Sequence, residues 1–155
     1  MESKHGEHPF EDGMAERLLA QKVADAMMAG DSTSRALGMT VVEAGPGSAT
    51  LRMTVRTEML NPYKTCHGGN IFTLADSAFG FAANSRNFIS VASGCSIEFL
   101  APAHDGDVLT AAATEVAQQG KIGVYDVAVK NQHGVTIAAF RGRSHRLPGH
   151  IAENS

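Results

Sequence analysis

Cysteine is scarce in this sequence, with only Cys66 and Cys95. The two lie far apart and form neither a metal-ligand nor a redox spacing. They read as reduced thiols of a cytoplasmic protein rather than as a disulfide framework. Positive charge is not in excess, since the net charge is -3, so there is no basic footprint for nucleic acid. No apolar run reaches the roughly 18 residues that span a bilayer. The opening MESKHGEHPFEDG is polar and acidic, without the apolar stretch of a secretion signal. What is present is a globular composition. Its 155 residues, 43% apolar and 19% charged, suit one domain with a core of ordinary size.

Residues 1–13 read as a flexible tail, His5 and His8 included. Residues 14–147 read as one domain and 148–155 as a second tail. Leu18, Leu19, Val23, Met27 and Met28 recur at near-helical spacing over 14–29, and Gly30 can end that helix. From Met39 the pattern turns to strands. Ala49, Leu51, Met53 and Val55 alternate with polar residues, which puts one strand face on a core. A loop over 58–66 leads to an apolar helix from about Gly69 to Asn84. Four strands follow, near 91–100, 108–117, 121–130 and 135–145, punctuated by Gly, Pro, Asp and Asn turns. The order predicts an α+β domain in which an antiparallel sheet curls around one long helix, with a further helix at the N-terminus.

The stretch Cys66-His67-Gly68-Gly69 opens the apolar helix, and Asp76 sits inside it. A helix apolar nearly all round is buried, and a carboxylate buried there is costly unless it has partners or work. Two glycines at a helix start leave backbone N–H groups open, with the helix dipole behind them. That arrangement suits an oxyanion hole for a carbonyl under attack. Asp76 lies about two turns beyond Gly69, roughly 10 Å along the axis, a long reach for one carbonyl. Antiparallel helices of two subunits would bring the Asp76 of one to the Gly68 end of the other. Gly69, Thr73 and Gly80 share a face with Asp76 and would admit substrate or a partner helix. A Cys66–His67 nucleophile pair is disfavoured, because adjacent loop residues seldom face each other.

The segment NPYKTCHGGNIFTLADSAFGFAANSR resembles the phenylacetic-acid-degradation branch of hotdog-fold acyl-CoA thioesterases. The resemblance continues through SRALGM, IEFLAPAHDGD, GVYDVAVKNQ and FRGRSHR. It implies a hotdog domain with Asp76 as catalytic nucleophile or general base and Gly68 as the N–H that polarises the carbonyl. His67 and Asn61 would be polar groups around the thioester and the attacking water. It also implies an acyl-CoA substrate, a homodimer that builds the site, a homotetramer of two such dimers, and neither metal nor organic cofactor. Gly30 departs from relatives that carry Asn at this position, which touches acyl preference rather than Asp76 or Gly68.

Coenzyme A carries phosphates, so basic groups should line the entry. Arg141, Arg143 and His145 share a strand face, with Arg146 beside them and Arg86 and Lys121 as weaker candidates. Tyr63, Phe79 and Phe88 could border an apolar acyl pocket. The expected activity is hydrolysis of phenylacetyl-CoA or a hydroxylated form of it. Two rivals are a hotdog hydratase or dehydratase, which needs a His paired with a carboxylate, and a non-catalytic acyl-CoA-binding protein.

Overall fold

The computed structural model describes residues 9–153; the expected tail lies outside these up to residue 8, and its last two C-terminal residues likewise. Helix α1 (Pro9–Gly30) and the short α2 (Ser32–Ala36) come first, then strands β1 (Thr40–Gly45) and β2 (Ser48–Thr54). Helix α3 (Gly68–Ala83) follows, and then β3 (Phe88–Phe99), β4 (Val108–Gln119), β5 (Ile122–Lys130) and β6 (Thr136–His150). The six strands form one antiparallel sheet in the order β1-β2-β4-β5-β6-β3.

Period-two alternation puts one face of this sheet against α3. Ala49, Leu51 and Met53 of β2, Leu109 and Ala111 of β4, Val127 and Val129 of β5, and Phe140 of β6 are all buried. From α3, Leu74, Ala75, Ala78, Phe79 and Ala82 meet them. Burying each large apolar side chain contributes about 1.5–3 kcal/mol. Phe79 packs edge-on to Tyr125 and tilted against Phe140. A Cβ at Gly142 would sit only 2.8 Å from the Phe79 ring, so glycine there lets the helix approach the sheet.

Two boundaries differ from the expectation. Helix α1 begins at Pro9, not residue 14, since proline is tolerated in a first helical turn and Gly13 weakens a helix without stopping it. Its buried stripe is Ala20, Val23 and Ala24, while Leu18 is exposed. Strand β6 runs on to His150, beyond the expected tail start at 148. Three residues of β3 (Phe88 to Ser90) lie opposite five of β6 (Arg146 to His150), and the resulting bulge absorbs Pro148 and Gly149.

β3 is an edge strand, and exposure replaces alternation along most of it. Val91 and Phe99 stay uncovered. No helix of the described residues is long and apolar enough to cross a membrane.

Candidate active site

The start of α3 is held by its neighbours on all sides. Leu60 and Cys66 form a β-bridge that closes the loop. Asn61 Oδ1 accepts from the Tyr63 and Thr65 N–H groups at 3.0 and 3.2 Å, and Asn61 Nδ2 donates to Thr65 Oγ1. The Cys66 N–H donates to the Ala103 carbonyl, and the His67 N–H to that of Met59. His67 is thereby fixed as the N-cap of α3.

Its imidazole Nδ1 accepts the Gly69 N–H at 3.0 Å. An acceptor Nδ1 carries no proton, so in the neutral ring Nε2 bears it as an exposed donor. Gly69 is thus spent on capping, while no hydrogen bond among the described residues uses the Gly68 N–H. Gly68, not Gly69, is the open donor at this helix start. The Phe99 ring of β3 lies over Gly68, 3.0 Å from where a Cβ would be. Beside them is a groove of about 400 Å³ lined by Asn61, Thr65, Cys66, Gly68, Phe99 and Leu100.

Asp76 is half-buried on α3, and no hydrogen bond among the described residues reaches its carboxylate. Burial, and secondly the negative charge of Asp31, push its carboxyl above the usual carboxylate range. Asp31 is the N-cap of α2. Its Oδ2 accepts from the buried Ser34 hydroxyl at 2.7 Å, and Ser34 Oγ lies 2.8 Å from Ser77 Oγ. Since Ser34 spends its proton on Asp31, Ser77 is the donor in that second bond. This chain ties the segment after α1 to the residue next to Asp76. Burial, and secondly the Asp76 charge, push the thiol of Cys95 on β3 up. Sequence reasoning missed Ser34, Ser77, Cys95 and Phe99 as neighbours of the site. The capping spacing of Asp31 and Ser34 was the one available signal.

The other expected residues divide. Asn61, His67 and Gly68 come together at the helix start, with Thr73 one turn on, its hydroxyl donating to the Gly69 carbonyl. Eight residues of α3 separate Gly68 from Asp76, about 12 Å at 1.5 Å per residue, so one chain holds them apart. Phe79 is no pocket wall. It is 1% exposed and sits in the core, since its side chain leaves the helix toward the sheet. Tyr63 is 86% exposed on the loop. Arg141 and Arg143 lie on the sheet face away from α3, because the alternate residues Phe140, Gly142 and Ser144 face inward. Arg141 is engaged twice by the Asp126 carboxylate, at 2.7 and 2.9 Å. Arg143 donates to Ser93 Oγ. Cys66 is a buried thiol whose Sγ lies 3.7 Å from the His67 carbonyl. Burial pushes it up to about 11, which leaves it protonated and unreactive.

One long helix held in a curved antiparallel sheet, with a glycine-opened N-terminus and a carboxylate midway along it, is the hotdog arrangement of thioester-processing enzymes. The thioesterase superfamily model matches residues 63–138, and the chain belongs to that superfamily of hydrolases. It is 48% identical to the acyl-coenzyme A thioesterase PaaI of Escherichia coli K12 over 129 residues, 83% of this chain and 91% of that relative. Its fold matches the solved structure of the E. coli PaaI protein from the phenylacetic acid degradation operon. There the TM-score is 0.85 at 44% identity, covering 86% of this chain and 97% of that one. A Streptococcus mutans protein solved with acetyl CoA is also similar, with a TM-score of 0.70 at 28% identity over 72% of this chain and 90% of that one.

Proposed function

We propose that this protein hydrolyses aryl-acetyl coenzyme A thioesters to the free acid and coenzyme A. The observation that carries the reading is Asp76: a half-buried carboxylate without a hydrogen-bond partner among the described residues, held above its ordinary range on a thioesterase helix. A base with a raised pKa takes a proton more readily at neutral pH. Asp76 removes a proton from water, and the water oxygen adds to the thioester carbon. The carbonyl oxygen takes the negative charge and accepts from the Gly68 N–H. When the carbon–sulfur bond breaks, the thiolate leaves and receives the proton that Asp76 took. Water is the only co-reactant.

The site is shared between two copies of the chain. About 12 Å of helix is too far for one carbonyl to meet both Gly68 and Asp76 of one subunit, whereas antiparallel helices of two subunits bring them together. The bare edge of β3 supports pairing, since an unpaired edge strand with uncovered apolar residues is a template for another strand. The aryl-acetyl preference is supported by the resemblance to a protein of a phenylacetic acid degradation operon.

The test is thiol release from phenylacetyl-CoA, hydroxyphenylacetyl-CoA, benzoyl-CoA and straight-chain acyl-CoAs, with Asp76→Ala as control. Release concentrated on the arylacetyl members and lost in the variant is the expected result. Release on straight chains alone keeps the reaction and discards the substrate. Hydration of an enoyl-CoA without thiol release would replace the reaction itself.

A further inference from the structure

The loop that leads into α3 closes on itself as a tight hairpin turn. The Lys64 N–H donates to the Asn61 carbonyl and the Asn61 N–H to that of Thr65, at 3.0 and 2.8 Å. Pro62 suits the first central position of such a turn. Lys64 ends it with a φ of 64°, the left-handed conformation found at the third position of three-residue hairpin loops. The backbone completes this turn by itself. The side chains of Asn61 and Thr65 nevertheless face each other across it and bond a second time.

Those bonds decide which way round the Asn61 amide sits. Backbone N–H groups only donate, so the atom that meets the Tyr63 and Thr65 N–H groups at 3.0 and 3.2 Å is the amide oxygen. With Thr65 Oγ1 a further 3.3 Å away, this oxygen has no capacity left for a ligand. Nδ2 sits at the other end with two hydrogens. One goes to Thr65 Oγ1 at 3.0 Å, and no hydrogen bond among the described residues uses the second. Asn61 and Thr65 are half-buried and line the same groove as Gly68. The groove therefore meets Asn61 as a donor and not as an acceptor.

The last torsion of an asparagine side chain is soft, so the amide turns unless both of its ends are held. Backbone N–H groups tie the oxygen end, and Thr65 Oγ1 alone ties the nitrogen end. We propose that Thr65 is a positioning residue for the reaction. Its hydroxyl holds the open Nδ2–H of Asn61 beside the Gly68 N–H, so that two donors meet the thioester oxygen as it gains charge. This rests on the thioesterase reading for the identity of the acceptor. Asn61 and Gly68 share one groove of one chain, whereas in the shared site Asp76 comes from the other subunit. That puts the Asn61 donor on the carbonyl side of the reacting carbon and the base on the water side. Donors already aimed at the developing charge need no reorganisation during the reaction. Threonine suits the task, since its branched side chain is stiff about its first torsion.

The experiment follows thiol release from acyl-CoA by the full chain in Thr65→Val, Thr65→Ser, Asn61→Ala and the double variant Asn61→Ala/Thr65→Val. Asn61→Ala should lower kcat about 100-fold, the usual loss of one oxyanion donor. Thr65→Val keeps the shape and removes the hydroxyl. It should lower kcat about tenfold, the value of one hydrogen bond, with KM little changed, because the contact is made in the transition state. Thr65→Ser should recover most of that loss. In the Asn61→Ala background Thr65→Val should cost nothing further, since no amide is left to position. Wild-type kcat in Thr65→Val, no recovery in Thr65→Ser, or a full second loss in the double variant overturns the proposal. A second readout needs neither turnover nor a folded Thr65→Val: the Asn61 side-chain NH2 signals of the 15N-labelled protein, identified by their loss in Asn61→Ala. They should be displaced from the positions of a solvated asparagine amide in the wild type and in Thr65→Ser. Signals at the solvated positions in the wild type overturn the proposal. A wild type that releases no thiol from any acyl-CoA sinks the thioesterase reading, and displaced NH2 signals then uphold the positioning of Asn61 by Thr65 on their own.

Discussion

His67 and Gly69 are joined by a 3.0 Å hydrogen bond from the glycine N–H to the imidazole Nδ1, and that bond separates the roles of two adjacent glycines. Gly69 serves the cap and Gly68 keeps a free donor. The same bond fixes the ring so that Nε2–H faces solvent as a donor. Replacing His67 tests the two functions apart. His67→Ala loses the cap, at about 1 kcal/mol of stability, and melts about 2–4 °C lower. His67→Asn restores a capping oxygen and should melt near the wild type. Both lose the Nε2 donor, so thiol release should fall about tenfold or more in each. Full turnover by His67→Asn would confine His67 to capping.

Asp76→Asn should separate stability from activity in opposite directions. The folded-state pKa of Asp76 is raised, chiefly by burial and then by Asp31. The folded protein therefore binds this proton more tightly than the unfolded chain does. Stability from this group is greatest below the ordinary carboxylate range and declines as pH rises through the raised folded value. At neutral pH the ionised carboxylate is a cost to the fold. Asparagine removes that cost, which solvent screening at a half-buried group keeps small. The variant should melt slightly higher at pH 7. Its thiol release should drop on the order of 100-fold or more, the usual contribution of a general base. A variant that melts lower at pH 7, or that turns over normally, contradicts the assigned role.

The charge of Asp31 should be visible in the pH profile of the reaction. Asp31 raises the Asp76 pKa as the second cause after burial. In Asp31→Asn, the acid limb of kcat/KM should move to lower pH without reaching the ordinary carboxylate range. Ser77→Ala supplies the contrast. It breaks the contact with Ser34 Oγ but leaves both charges, so its limb should stay in place. Equal limbs in the wild type and Asp31→Asn would show that burial alone sets the Asp76 proton affinity.

The sequence was most legible where one interaction dominates. The apolar run from Ile71 to Ala83 gave α3, and the alternation of Ala49, Leu51 and Met53 gave the inward face of β2. Asp76 stood out because a lone carboxylate in such a run is expensive. Phe79, expected to border an apolar acyl pocket, lies in the core instead, because the helix touches the sheet over a wide arc and buries it. The end of β6 was missed because Pro148 and Gly149 look like a strand stop, while a bulge opposite Ile89 accommodates both. The Asp31, Ser34 and Ser77 chain joins residues more than forty apart, and no local pattern carries such a contact.

A site shared between subunits can be tested by mixing two inactive proteins. Gly68→Pro removes the free N–H but suits the first position of a helix, where proline is favoured. The preceding His67 has φ -60° and ψ 132°, the extended conformation that a following proline requires. The half-exposed Phe99 ring must move aside for the new side chain. Gly68→Pro and Asp76→Ala should each be folded and nearly inactive. In a hybrid dimer with a shared site, the Asp76→Ala subunit offers its Gly68 to the intact Asp76 of the other. One complete site forms, and the opposite site collects both defects. Co-refolded equimolar variants yield hybrids as about half of random dimers, each with one of two sites intact. Activity should therefore recover to about a quarter of the wild-type value, by counting sites under random pairing. Were each site built within one chain, every site in every dimer would carry one defect and mixing would restore nothing.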